Sequence, residues 1–447
     1  MNREAVLAPP VDSEAIARDR IDQDLLVSMK KPGPGYWTAV VICFGVFTVG
    51  MAAWGLLIKD GLGWTGLSHP YNWAFDLVNF VFWVGIAHSG TLISAILLLF
   101  RSKFRKRFNR QAEAMTCISV LCAAMYLGVH VGRPWVGFYV LPYPTDRELW
   151  VNFRSPVLWD TFAVSTYLTV SVIFWYVGMI PDLAIARRHM TGVRKWAYGL
   201  LSLGWQGTEK QWRHYEKMCL FLAALAAPLV LSVHSVVSWD FAMALLPGWH
   251  ATIFAPYFVA GAIFSGCGMV LTLVIPMRKW FGLDKYITPD HFEKLAKLIM
   301  FTSMIVGYAY FVEVAMAFYG TSLFEKALFL HRMTGYYKIA FWMMVFCNVV
   351  APLTLWVKSL RRNITWLFIL SIFINIGMWL ERYVIIVTSL ANDFDPYNWG
   401  YYQPRPIDVV LTLMAFGFFF GMFLLFCRFL PMMSIMEVKE EVKGESK

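Results

Sequence analysis

Seven ionisable side chains lie in or at the edge of stretches apolar enough to cross a bilayer: His130, Asp160, His234, Asp240, Glu313, Glu381 and Arg382. A charge at the centre of a bilayer costs about 3 kcal/mol even on lenient scales, so such residues face a bundle interior and mark proton, ion or substrate paths. His130 and Asp160 stand at the facing ends of two consecutive stretches. An imidazole takes up one hydroxyl proton near neutral pH, and a carboxylate accepts a second or orients a ring. At the mouth of an aromatic-walled pocket that pair suits a quinol. The same residue types also suit the ion site of a transporter, and spacing alone does not separate the two.

The elements that must position these residues are helices. The chain has 447 residues, 58% hydrophobic and 15% charged, a balance far outside the soluble range. Apolar runs of about twenty residues, the length a 30 Å core demands, fall at about 36–58, 73–100, 112–132, 157–180, 218–240, 252–275, 296–320, 338–357, 364–389 and 407–430. The expected fold is therefore an all-α polytopic membrane protein with ten spans. Span 2 carries Gly85, Ser89 and Gly90, and span 6 carries Gly261, Ser265 and Gly266 in the same order. This weak repeat predicts two four-helix bundles, spans 2–5 (73–240) and 6–9 (252–389), flanked by spans 1 and 10. Residues 1–35 and 431–447 are polar tails, and the first reads as a segment that lies on a partner.

The +10 formal charge falls between spans. RSKFRKRFNR joins spans 2 and 3, and the 4–5, 6–7 and 8–9 connectors are also basic, whereas the 5–6 connector has no Lys or Arg. No aromatic-interleaved basic patch points to nucleic acid. The positive-inside rule makes the basic connectors and both tails cytoplasmic. His130, Asp160, His234, Asp240, Glu313, Glu381 and Arg382 then sit towards the outer face. The connector from Gly132 to Trp159, with seven aromatic residues and four prolines, is expected to fold over a pocket there. His88 lies mid-span, too deep to share a ligand with His130, and reads as a packing residue or a relay. A haem bracketed by His130 and His234 is a minor alternative. The remaining histidines, His69, His189, His214, His250, His291 and His331, sit in connectors and read as solvated. Glu381 and Arg382 are adjacent on a helix and do not face each other, so Arg382 is expected to pair with Glu313. The seven cysteines show no CxxC or CxxCH spacing, so neither covalent haem nor an iron–sulfur cluster is implied.

The phrases FWVGIAHSGTLISAILLLFR, YLGVHVGRPW, SPVLWDTFAVSTY and NIGMWLERYVIIV resemble the NrfD/polysulfide-reductase family of membrane subunits. Within it they are most similar to the branch found in bacterial alternative complex III. The resemblance, over about residues 36–430, implies a subunit of the bacterial cytoplasmic membrane that carries no redox cofactor. It implies a quinol, menaquinol above all, bound near the periplasmic face and oxidised there. Electrons would pass to an iron–sulfur subunit, then to multihaem and monohaem c-type cytochromes, beside a second membrane subunit of the same family. His130 and Asp160 match the family's quinol pair, with Arg133, Trp135 and Trp159 around it. Asp240, Glu313 and Arg382, and with them His88, His234 and Glu381, are expected on a proton path. The competing readings are a non-catalytic paralogue that anchors partners, and a secondary transporter. The second would show broken helices at the midplane, whereas these spans read as continuous.

Overall fold

A computed structural model describes residues 20–30, 32–140 and 156–439. Among them, ten helices are long and apolar enough to cross a membrane: α1 Pro34–Asp60, α2 Phe75–Leu99, α3 Asn109–Val131, α4 Pro156–His189, α5 Glu209–Ala242, α6 Phe254–Trp280, α7 Pro289–Tyr319, α8 Lys338–Trp356, α9 Ile364–Ala391 and α10 Pro406–Phe429. Several run past the expected apolar window. α5 starts nine residues before it, at a Thr208–Gln211 capping box that satisfies the first free N–H groups.

α2 and α6 form the centre. Their most apolar stretches are 83% buried, against 11% for α1. α2 is buried on every side from Leu77 to Thr91, as a central helix must be. The two helices meet through the repeated small residues. A Cβ on Gly85 would touch Ser265 at 3.6 Å, and one on Gly266 would lie 2.7 Å from the Ile86 carbonyl and collide with Ser89. The contact is thus reciprocal: one glycine of each copy, Gly85 and Gly266, faces the serine of the other. Gly266→Leu is expected to force the helices apart and cost about 1–3 kcal/mol, read as a lower thermal midpoint of the purified protein; an unchanged midpoint would contradict the crossing.

Around this centre α3 packs on α2, α4 on α5, and α7 and α9 on α6, while α10 joins α1 to α3. Gly417 and Gly421 of α10 let α1 approach, because a Cβ on Gly417 would sit 2.6 Å from the Cys43 carbonyl. The spans are not all regular. α2 contains a π turn at Leu92–Ile96 and α8 one at Phe346–Val350, and prolines 181, 228 and 276 lie inside α4, α5 and α6. The expected continuity of the spans holds, since each runs as a single helix; a π turn is a bulge of one inserted residue and leaves no mark in an apolar run.

The tail before α1 also differs from expectation. Residues from Arg20 to Met29 lie on this chain itself, with Ile21, Leu25, Leu26 and Met29 buried. Asp22 pairs with Lys439 at 2.6 Å and Asp24 accepts from Tyr286 at 3.0 Å.

Candidate functional site

His130 closes the last turn of α3, and its Nδ1 lies 2.6 Å from Asp76 Oδ2 in the first turn of α2. The other Asp76 oxygen accepts the Ala74 N–H at 3.0 Å, which fixes the carboxylate. The imidazole remains about one-third exposed while Asp76 is nearly buried. The pair therefore has one ring nitrogen tied to a carboxylate and the other able to reach an incoming hydroxyl. Trp73 stands edge-on to His130 at 6.2 Å, stacks on Trp249 at 5.8 Å and meets Phe241 at 6.3 Å. Trp249 is held by an N–H bond to the Ile385 carbonyl at 2.7 Å. These rings make a flat apolar wall beside the histidine.

Asp160, near the start of α4, finds its partner in Asp240 near the end of α5, a carboxyl pair in hydrogen-bond contact. Each is buried and keeps one oxygen without a protein partner. A hydrogen bond between two carboxyl groups needs a proton on one of them, and the outer oxygens keep free lone pairs. His130 and Asp160 thus do not pair with each other. Their surroundings are linked through Trp73 and Phe241, the residue after Asp240. Trp159 rests edge-on against Trp239 at 6.1 Å, whereas Arg133 and Trp135 point to the exterior of this chain. Of the connector expected to cover the site, residues 141–155 lie outside the described residues.

Deeper in the fold, His88 is not a lone packing histidine. It stacks on Tyr167 at 4.8 Å and 5°, and its ring centre lies 4.7 Å from that of His234. His88 Nδ1 meets the Val84 carbonyl at 2.5 Å. Its Nε2 and both nitrogens of His234 are buried without partners. His234 sits six residues, about 9 Å, below Asp240, and its ring meets that of His88.

Beyond His234, Phe258 lies under the Arg382 guanidinium at 4.3 Å. Arg382 Nη1 binds Glu381 Oε1 at 3.0 Å. This corrects the expected Arg382–Glu313 pair: the long arginine curls back over its own turn, where a shorter cation could not. Tyr310 donates a short hydrogen bond to Glu381, Asn348 of the α8 π turn donates to Tyr310 at 2.8 Å, and Tyr257 also bonds Glu381. Glu313 is within electrostatic reach of Arg332 and Glu381. Arg332, outside the spans, donates to Thr388 at 2.6 Å and Ser389 at 2.8 Å. Burial pulls its guanidinium down to about 10, with Glu313 opposing. His331 is half-buried and stacked on Tyr401 at 5.9 Å, and His291 accepts from Thr288 in a helix cap, so neither is simply solvated.

The opposite end of the fold holds a second polar cluster that sequence reasoning missed. Arg110 binds Glu113 at 2.9 Å and Asp182 at 3.1 Å, and also meets the Gly178 carbonyl. Asp182 accepts the Ile435 N–H at 3.0 Å, and Glu437 pairs with Arg105 at 2.9 Å, so the segment after α10 is tied over a cavity of about 250 Å³. Arg110 reads as one more connector cation, and Asp182 falls two residues past the expected end of its span.

Ten apolar helices around buried titratable groups define a polytopic integral membrane protein. The family model described as "Polysulphide reductase, NrfD" matches residues 63–392, and the chain belongs to that family. Among curated relatives, it is 26% identical over 350 residues to a putative dimethyl sulfoxide reductase membrane subunit of Halobacterium salinarum, covering 77% of this chain and 75% of that protein. It is 22% identical to the Hdr-like menaquinol oxidoreductase integral membrane subunit of Archaeoglobus fulgidus, covering 79% of each. It is 18% identical to a selenate reductase subunit of Mesobacillus selenatarsenatis, covering 80% of this chain and 83% of that one.

Proposed function

We propose that this protein is the quinol-oxidising membrane subunit of a complex of the alternative complex III type, with menaquinol as substrate. The observation that carries the proposal is the His130–Asp76 pair, part-exposed beside the Trp73–Trp249 wall. A quinol ring fits such a wall by stacking, with one hydroxyl towards His130 and the other towards the Asp160–Asp240 pair. Oxidation releases two protons and two electrons. His130 takes one proton on the nitrogen that faces the quinol while its Nδ1 keeps the Asp76 contact, and the carboxyl pair takes the other. The electrons leave to an iron–sulfur cluster in an adjacent subunit and travel on to c-type cytochromes. The menaquinol oxidoreductase relative supports the substrate class. The membrane in this reading is the bacterial cytoplasmic one, and the basic connectors support both termini inside it with the quinol pair at the periplasmic end.

A second activity has its own support. Asp160–Asp240, His88–His234 and Glu381–Arg382–Tyr310 form a file of polar groups, several with unpartnered nitrogens or oxygens. That file is the arrangement a proton relay uses, with water bridging the gaps. A second membrane subunit of the same family would complete the path.

Asp160→Asn keeps the shape of the pair but removes one proton-accepting oxygen. It is expected to slow menaquinol oxidation by the assembled complex about tenfold or more. Wild-type turnover with unchanged KM would sink the role given to Asp160.

A further inference from the structure

After a link of two residues from the end of α4, the chain forms a ten-residue helix, Gly192–Leu201, that is not one of the ten spans. It is about 15 Å long, too short to cross a bilayer. Its faces are sharply divided. Arg194 and Tyr198 point to the bundle: Arg194 donates to the Met29 carbonyl at 3.0 Å and lies 4.8 Å over the Phe429 ring, while the Tyr198 hydroxyl donates to the Phe429 carbonyl at 2.7 Å. Val193, Trp196 and Leu200, with Leu203 just beyond, point the other way and are 81%, 70%, 61% and 68% exposed. Lys195 and Gly199 face Arg187 at the end of α4, across a groove of about 470 Å³. Arg188 joins Arg187 and Lys195 around an adjoining groove. No acidic side chain lines either groove among the described residues. Arg187, Arg188 and Lys195 make no ion pair among the described residues.

We infer that Gly192–Leu201 lies in the membrane interface and that the Arg187–Lys195 groove holds the head group of an anionic phospholipid. An apolar face beside Arg187 and Lys195, which no carboxylate among the described residues neutralises, where a spanning helix leaves the hydrocarbon, is the pattern of an interfacial helix. Trp196 stands at the boundary that indole rings prefer. Two cations facing one groove match a lipid phosphate, and the acyl chains continue along Val193, Trp196 and Leu200. The tethers through Arg194 and Tyr198 hold the helix at a fixed height on the bundle, so the groove is formed before the lipid arrives.

The test uses the assembled complex in vesicles containing brominated phosphatidylglycerol or brominated phosphatidylcholine, each titrated over the same range of mole fractions. The Trp196 fluorescence is obtained as the difference between wild type and Trp196→Phe. The expected result is quenching of Trp196 by both lipids, with phosphatidylglycerol effective at an about fivefold or more lower mole fraction. Arg187→Gln/Lys195→Gln changes only exposed side chains and should abolish that preference while leaving quenching by phosphatidylcholine intact. Equal quenching by both lipids in the wild type would overturn the head-group site. Absence of quenching by either would overturn the interfacial placement and mean that another protein covers the helix.

Discussion

Replacing His130 with alanine is expected to lower menaquinol turnover by about a hundredfold or more while leaving the complex assembled. A positioned general base contributes about 10²–10⁴ in rate, and His130 is the imidazole whose free edge reaches the part-exposed end of the site. Because the ring is not buried, its loss removes chemistry rather than core packing. His130→Gln can keep a hydrogen bond to Asp76 but takes up no proton, so it should assemble like wild type and turn over like His130→Ala. Asp76→Asn should fall between wild type and these variants, since the ring stays in place but loses the carboxylate that orients it. Steady-state oxidation of a menaquinol analogue measures all three. Near-normal turnover in His130→Gln would show that the imidazole is not the acceptor.

The second large effect belongs to Glu381. Glu381→Leu is expected to destabilise the protein by about 3 kcal/mol or more, because it strands a buried arginine. Arg382 and Glu381 are 1% and 0% exposed, and Tyr310 and Tyr257 both lose an acceptor. The double variant Glu381→Leu/Arg382→Met should recover much of the loss, since a buried pair contributes little net stability over apolar residues of similar volume. Thermal unfolding of the four proteins in a double-mutant cycle reads the coupling. Independent losses that simply add would contradict the pairing. The double variant also addresses the relay. Reconstituted in liposomes, it should release only the protons that come from quinol itself, whereas wild type releases more per electron.

The ten spans were legible because hydrocarbon demands length and apolarity, and both are local properties of sequence. The central position of α2 and α6 was half legible: the Gly85-Ser89-Gly90 and Gly261-Ser265-Gly266 phrases marked close approach but not that they face each other. Pairings between helices were not legible. Asp76 reads as an ordinary first-turn acid complementing a helix dipole, and only the antiparallel packing of α2 on α3 brings it to His130. Asp160 and Asp240 each stand out singly, yet nothing in their spacing says that they touch. His88 and His234 lie 146 positions apart and meet because α5 packs beside α2. The rule that adjacent residues on a helix diverge holds for Cβ directions, but it misleads for Glu381–Arg382, where arginine's length overrides direction. Arg110 and Asp182 stay hidden when every basic connector residue is assigned to water.

Quinol binding at the His130 end is tested most directly by photolabelling the assembled complex with a photoreactive menaquinone analogue, followed by peptide mapping. Labelled peptides are expected at one end of this chain, around Trp73–Asp76, His130–Trp135 and Trp159–Asp160, with labelling suppressed by excess menaquinone. Labelling confined to another subunit, or to the Arg110 end of this one, would contradict a quinol site at His130.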